Sequence, residues 1–178
     1  MHIVSKNASR KSLDPIPLTS EKLCSKVDEL PESTTVRLRF RQITHLPTNI
    51  DRLKHLQYLY LAGNKLTQLP EEILNLSALV GLTLGDNQLT HLPPIKEDQL
   101  SRLELLGLHN NNFSCFPTQL THLKHLQTLT IFGNPFKDLP SKIKELSELT
   151  KLLLPKSLSA EAKKFAKQLD WIKKIRYY

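Results

Sequence analysis

Apolar residues recur through the middle of the chain in units of 23 residues, with one unit of 24. Four of these units begin at Leu56, Leu79, Leu103 and Leu126. Each contains an L-x-L segment that alternates apolar and other residues with period 2, as a β-strand does. A proline follows, then apolar residues three positions apart, which suits a short helical or 3₁₀ turn. The pattern predicts a solenoid, whose units bury their apolar edges by stacking on their neighbours.

One strand per unit predicts a parallel sheet with neighbouring strands about 4.8 Å apart. The second half of each unit is wider than this spacing and returns on the other side, so the stack must curve with the sheet on its concave side. The predicted strands span residues 36–40, 58–62, 81–85, 105–109, 128–132 and 151–154.

An asparagine recurs where each strand turns inward, at Asn64, Asn87, Asn111 and Asn134. We predict a structural ladder, in which these amides satisfy buried backbone groups of their own and adjacent coils. The residue before each asparagine is Gly, Asp or Asn, a type that tolerates unusual φ values. The first unit has Phe40 and Arg41 at these two positions, so we expect it to turn differently, beside a cap.

The repeated string L-x-x-L-x-L-x-x-N-x-L-x-x-L-P-x-x-I-x-x-L resembles the leucine-rich repeat family. Four units match it almost fully, a fifth (36–53) has arginine in the asparagine position, and a sixth starts at Leu149 and stops. The resemblance implies an α/β, right-handed solenoid with a concave parallel sheet and a helical or 3₁₀ convex side. It further implies a non-catalytic protein–protein interaction module, similar to intracellular proteins of small-GTPase signalling and to small bacterial repeat proteins.

The resemblance covers residues 34–155, and polar-faced caps are expected on either side because end coils expose apolar edges. Residues 1–17 are predicted to form a flexible arm, and residues 18–33 a cap helix with Val27 on its inner face. Residues 156–178 are predicted to form a second cap, with a helix capped by Ser159 and a candidate last strand at 175–178.

The chain has a formal net charge of +8, of which residues 156–178 contribute +5 from seven basic and two acidic residues. Residues 18–155 are nearly neutral, so no nucleic-acid groove is expected along the repeats. We interpret the basic segment as a solvated cap face, with a membrane or nucleic-acid contact as the alternative. No run of 18 apolar residues is present, so no membrane span is expected.

The two cysteines, Cys24 and Cys115, are expected to be free thiols, which favours a cytoplasmic location. The alternative is a protein that is secreted or translocated without a recognisable leader. We expect a monomer.

No phosphate-binding glycine loop, CxxC pair or cofactor motif occurs, so neither a cofactor nor an enzymatic activity is expected. His91, Cys115 and Asp138 share one repeat position in successive coils, but a cysteine nucleophile needs the histidine in the middle. His122 and His125 could share a helical face, but no third metal ligand is evident, and no metal site is predicted.

The exposed strand positions carry aromatic, small and uncharged polar residues on the concave side. Aromatic residues bordered by small ones resemble the core of an interface. We therefore predict that a protein partner binds there; the contacting residues would be Tyr58, Tyr60, Thr83, Leu105, His109, Thr130 and Phe132. In the alternative, Tyr58 and Tyr60 merely stack as a sheet ladder.

An acidic bulge at 96–99 is interpreted as a tolerated convex loop. One functional alternative is a bacterial effector or secreted protein acting on a host protein; the other is a binder of membranes or nucleic acid through the basic tail.

Overall fold

The computed structural model describes Val27 and residues 34–178. Seven strands form one parallel sheet in chain order, and each pairs only with the strands of adjacent coils. This confirms the predicted solenoid with a parallel sheet. The strands are β1 (Thr35–Arg37), β2 (Tyr58–Tyr60), β3 (Gly81–Thr83), β4 (Leu105–Gly107), β5 (Thr128–Thr130), β6 (Lys151–Leu154) and β7 (Lys174–Tyr177).

The sheet register follows the sequence period, since Tyr58 pairs with Gly81 and Tyr60 with Thr83. The first five strands are shorter than predicted, and β1 spans Thr35–Arg37 rather than 36–40. The prediction of 151–154 for β6 is confirmed. Hydrogen bonds between coils continue past the strands, for example from Gly63 N to Gly85 O at 3.0 Å. However, the chain is already turning inward at Gly63, where φ is +74°. A left-handed residue of this kind follows each of the first five strands, at Phe40, Gly63, Asp86, Asn110 and Gly133, and ends them early.

The convex side carries four short 3₁₀ helices, at Thr48–Arg52, Glu71–Asn75, Thr118–His122 and Ser141–Glu145. Each follows a proline in an extended conformation, such as Pro70 with φ −69° and ψ 148°. Each also buries at least one aliphatic side chain in the core, such as Ile50 in the first of them.

The third coil has a turn instead of a 3₁₀ helix, at the position where the sequence has its one-residue insertion. Leu100 adopts a φ of +50° there, and the Lys96 N–H donates to Gln99 Oε1 at 3.0 Å. Beneath this turn lies an apolar cavity of about 20 Å³, which Leu74, Ile95 and other aliphatic side chains line. The cavity therefore lies where this coil has a turn in place of the helix.

The four asparagines make the same set of hydrogen bonds in successive coils. The amide of Asn87 donates to Leu84 O of its own coil at 3.0 Å and to Leu61 O of the preceding coil at 3.1 Å. Its Oδ1 accepts the backbone N–H of Leu66 at 3.0 Å. Each asparagine therefore joins its own coil to the one before it.

The first coil turns more like the others than its sequence suggests. Phe40 adopts a φ of +55°, close to the +56° of Asp86 one residue before its asparagine. The expected difference of this coil is therefore not at Phe40 but two residues later, where Gln42 has a φ of +62°. Arg41, at the asparagine position of this coil, donates its backbone N–H to Asn64 Oδ1 at 3.0 Å.

A short helix, α1 (Ala160–Ala166), and strand β7 follow the last repeat. Ser159 caps α1 through its Oγ, which accepts from Ala162 N at 3.1 Å. Trp171 contacts the preceding coil by donating to Leu146 O at 3.2 Å. The predicted arm (1–17) and N-terminal cap helix (18–33) lie outside the described residues apart from Val27, which is 1% exposed and belongs to the core.

Candidate protein-binding site

Three rows of side chains project from the concave side of the sheet, because the residues between them are the buried leucines of the strands. We define these rows as the concave face. In strand order, the first row is Thr35, Tyr58, Gly81, Leu105, Thr128, Lys151 and Lys174. The second row is Arg37, Tyr60, Thr83, Gly107, Thr130, Leu153 and Arg176. The third row, two residues further along each strand, is Arg39, Ala62, Gly85, His109, Phe132, Pro155 and Tyr178.

At the N-terminal end of the concave face, two tyrosines and two arginines pack together. The rings of Tyr58 and Tyr60 are stacked with centroids 6.4 Å apart. Both guanidinium groups lie over the Tyr60 ring, Arg37 at 5.3 Å and Arg39 at 4.6 Å from its centroid. Cation–π contacts of this kind hold charge and ring in fixed relative positions. The tyrosines do form the stack of the alternative interpretation, yet Tyr58 stays 37% exposed and accessible to a partner.

At the C-terminal end, three rings of the third row form what we call the aromatic row: His109, Phe132 and Tyr178. His109 stacks on Phe132 with centroids 5.1 Å apart, and Phe132 lies 4.9 Å from Tyr178. The His109 ring also lies between Thr130 Oγ1, 3.4 Å from Nδ1, and the Asp86 carboxylate, 3.5 Å from Nε2. These contacts fix the ring before any partner arrives.

The concave positions of β3 and β4, with Gly85 just after β3, form the floor between the two ends, and neighbouring rings lean onto it from both sides. A Cβ atom on Gly81 would lie 2.7 Å from the Tyr58 ring, and one on Gly85 would lie 2.1 Å from the His109 ring. Only glycine leaves room for rings in these positions. Between them, Thr83 Oγ1 is buried and has no hydrogen-bond partner in the described part of the chain.

The charge of the concave face is uniform in sign. Its 21 positions include no Asp or Glu and five basic residues, namely Arg37, Arg39, Lys151, Lys174 and Arg176. Within residues 34–178, no ion pair joins any of these five to an acidic side chain. A hydrogen bond from Arg176 lowers the pKa of the Tyr178 phenol below its ordinary value of 10.0. Burial, in contrast, raises the pKa of Tyr177.

All seven predicted partner-binding residues lie on the concave face, but not as one cluster. Tyr58 and Tyr60 contact each other, and so do His109, Thr130 and Phe132. Thr83 lies in the floor, and Leu105 projects separately with 40% of its surface exposed.

Sequence reasoning missed two aromatic residues at this site. Tyr178 joins the aromatic row through β7, where the repeat pattern no longer marks positions. Phe40 lies at the rim, 73% exposed, with its ring over Gly63. The signal for Phe40 was a large aromatic residue at a position where the other coils have Gly, Asp or Asn.

The residues considered for catalysis are not assembled into a site. Asp138 accepts a hydrogen bond from Ser159 Oγ at 3.1 Å, and His91 contacts Thr90 Oγ1 at 3.0 Å. His125 lies 3.0 Å from the Glu148 carboxylate. Among the described residues, no three His, Cys, Asp or Glu side chains are grouped so that they could hold a metal ion. In the same part of the chain, every helix is too short or too polar to cross a membrane.

Comparison with known families agrees with this architecture. The family model described as leucine rich repeat matches residues 32–89 and 77–136, more than half of the chain. The chain belongs to the leucine-rich repeat family. Leucine-rich repeat domains, including receptor ectodomains and bacterial effectors, mediate protein–protein binding, and no enzymatic family is indicated. No curated protein matches the chain significantly.

Solved structures with the same fold include plant and bacterial proteins. A plant peptide hormone receptor, RGFR1 in complex with RGF2, is 31% identical with a TM-score of 0.65, covering 84% of this chain and 25% of that one. An internalin, inlF from Listeria monocytogenes, is 27% identical with a TM-score of 0.62, covering 79% of this chain and 39% of that one. The leucine-rich repeat domain of the type III effector XCV3220 (XopL) is 25% identical with a TM-score of 0.66, covering 75% of this chain and 48% of that one. The chain thus spans less than half the length of each.

Proposed function

We propose that this protein is a non-catalytic binding module that holds a protein partner on its concave face. The observation that carries the proposal is the set of rings held by mutual contacts on this face. Tyr58 and Tyr178 are exposed, and the other three are half-buried, namely Tyr60, His109 and Phe132. Binding energy at protein interfaces concentrates in a few such anchors. Rings that are already ordered also lose little side-chain entropy on binding.

A capture experiment tests the proposal. The intact protein and a Tyr58→Ala/Tyr60→Ala/Phe132→Ala variant are immobilised, and the retained proteins are compared by mass spectrometry. Glu71→Ala, on the convex side, is the control. Binding on the concave face is supported if the intact protein and this control retain a partner that the triple variant does not. Equal retention by the triple variant, with loss in Glu71→Ala, places binding on the other side and overturns the proposal.

A bacterial effector or secreted protein acting on a host protein is the second candidate. The likeness to the leucine-rich repeat domain of a type III effector and to an internalin favours it. The cytoplasmic location inferred from the cysteines is the competing proposal; Cys115 is exposed and free. Parallel captures from bacterial and eukaryotic lysates separate the two, because an effector should retain its partner only from the eukaryotic one.

A further inference from the structure

We propose that the partner presents an extended acidic segment to the concave face, with two acidic clusters separated by about seven to nine residues. This inference rests on the proposed function and adds the chemistry of the bound segment.

Charge complementarity is the first support. The whole chain has 25 basic and 17 acidic residues, so a random sample of its surface would contain both signs. The concave face instead contains five basic residues and no acidic one. Four of the five, Arg37, Arg39, Lys174 and Arg176, are exposed, and Lys151 is half-buried. Like charges on one surface repel each other unless an oppositely charged partner binds.

The positions of the cations set the spacing of the acidic clusters. Arg37 and Arg39 belong to β1 and its extension, whereas Lys151 lies on β6 and Lys174 and Arg176 on β7. Five to six strand steps of about 4.8 Å separate the two groups, or about 24–29 Å across the sheet. An extended peptide spans about 3.3–3.6 Å per residue, so about seven to nine residues bridge this distance.

The floor between the cations favours a peptide over a nucleic acid. It is uncharged and small, with Gly81, Thr83 and Gly107 in its centre and exposed Leu105 beside it. Asp86, at the rim beside His109, is acidic rather than basic. A nucleic acid carries a phosphate at every nucleotide and needs cations along its whole path. A peptide can place acidic residues at both ends and apolar or small residues between them.

Fluorescence anisotropy with a defined probe tests the inference. The probe is a labelled peptide with two Asp-Glu pairs separated by eight residues of Ala, Ser and Leu. One control peptide replaces the acids by Asn and Gln, and another shortens the spacer to two residues. We expect the probe to bind and the Asn/Gln control to bind at least about tenfold more weakly. The control with the short spacer should lose most of the affinity that the second acidic pair adds, because both pairs can no longer reach their cations at once.

Charge-reversal variants locate the contact. Two double variants should each weaken binding of the probe at least about tenfold, namely Arg37→Glu/Arg39→Glu and Lys174→Glu/Arg176→Glu. The matched control, Lys96→Glu/Lys142→Glu, changes the net charge equally on the convex side and should leave affinity within about twofold. Circular dichroism melting checks that each variant is folded. Equal weakening by the convex control would show unspecific charge attraction and overturn the inference.

Two further results separate this inference from the proposed function. In the first, a captured partner loses binding in the Tyr58/Tyr60/Phe132 variant but keeps it in both concave charge-reversal variants. That result would refute the acidic segment and support the concave face as the binding surface. If the partner depends on neither set, the proposed function itself fails. Labelled oligouridine that binds more tightly than the probe, and loses binding in the concave charge-reversal variants, would assign the face to nucleic acid instead.

Discussion

The ring of Phe132 lies 4.9 Å from the ring of Tyr178, although β6 separates their strands. The residue of the third row on β6 is Pro155, which is buried and too short to separate the two rings. The last strand therefore extends the concave face and supports the Phe132 ring from the side opposite His109.

Truncation of a concave ring should weaken partner binding without unfolding the array. We expect Tyr60→Ala or Phe132→Ala to lower affinity at least about tenfold, or about 1.4 kcal/mol, because both rings are ordered before binding. Calorimetry with the captured partner measures the change, and Glu71→Ala on the convex side is the control. Unchanged affinity in both ring variants would show that the partner binds elsewhere.

The asparagine ladder predicts a large stability difference between two adjacent amides. Asn87→Ala removes the acceptor of the Leu66 N–H and the donor to Leu61 O and Leu84 O, all inside the core. We expect it to lower the free energy of unfolding by about 1–3 kcal/mol, because buried backbone groups lose their partners. Gln88→Ala removes an exposed amide one residue later and should change stability by less than about 0.5 kcal/mol. Urea denaturation compares the two variants; equal midpoints would contradict the ladder.

Two glycines of the floor should differ in their tolerance of a methyl group. In Gly85→Ala the new Cβ would collide with the His109 ring, so the ring must move off Phe132. In Gly107→Ala the nearest atoms lie at 3.4–3.7 Å, an ordinary contact distance. We expect the His109 ring proton shifts in NMR spectra to change markedly in Gly85→Ala and little in Gly107→Ala. The same small change in both variants would show that the His109 ring does not lie over Gly85.

The pKa values of the two C-terminal tyrosines should be shifted in opposite directions from the ordinary value for a phenol. The Arg176 hydrogen bond lowers the pKa of Tyr178, and burial raises the pKa of Tyr177. In an absorbance titration at alkaline pH, Tyr178→Phe should remove an early part of the transition and Tyr177→Phe a late part. Arg176→Gln should move the early part to higher pH; no movement would exclude the contact.

The lowered pKa of Tyr178 determines the sign of its effect on stability as the pH changes. The folded-state pKa of Tyr178 lies below its unfolded value, so ionisation of this phenol favours the folded state. The contribution is therefore present above about pH 10, the unfolded value, and disappears as the pH falls through the folded pKa.

The sequence predicted the register and the rows well, because residues one period apart must pair when one strand forms per unit. Thr83 and Thr130 were thus assigned correctly to the same row of the sheet with no knowledge of their contacts. Strand ends were predicted less well, since Phe40 takes a left-handed φ that residue type alone does not indicate. Tyr178 was missed because the period ends before β7, and its place depends on how the chain returns from α1.

The basic character of the concave face was not predicted, for a different reason. Net charge was summed over continuous segments, which gives nearly zero for residues 18–155. The face takes three side chains from each coil, so Arg37 and Arg176 become members of one surface only after folding. Charge summed along the chain and charge summed over a folded face are different quantities in a solenoid.

The asparagine ladder also has a direction, and this bears on how the protein is made. Asn111 accepts the N–H of Leu89 in the coil before it, and Asn134 accepts that of Phe113. No asparagine follows for the next coil, where the Phe136 N–H donates back to Phe113 O at 3.1 Å instead. On a ribosome, each of the earlier coils therefore waits for the asparagine of the following coil, as it waits for that coil's sheet hydrogen bonds, until the following coil has left the exit tunnel.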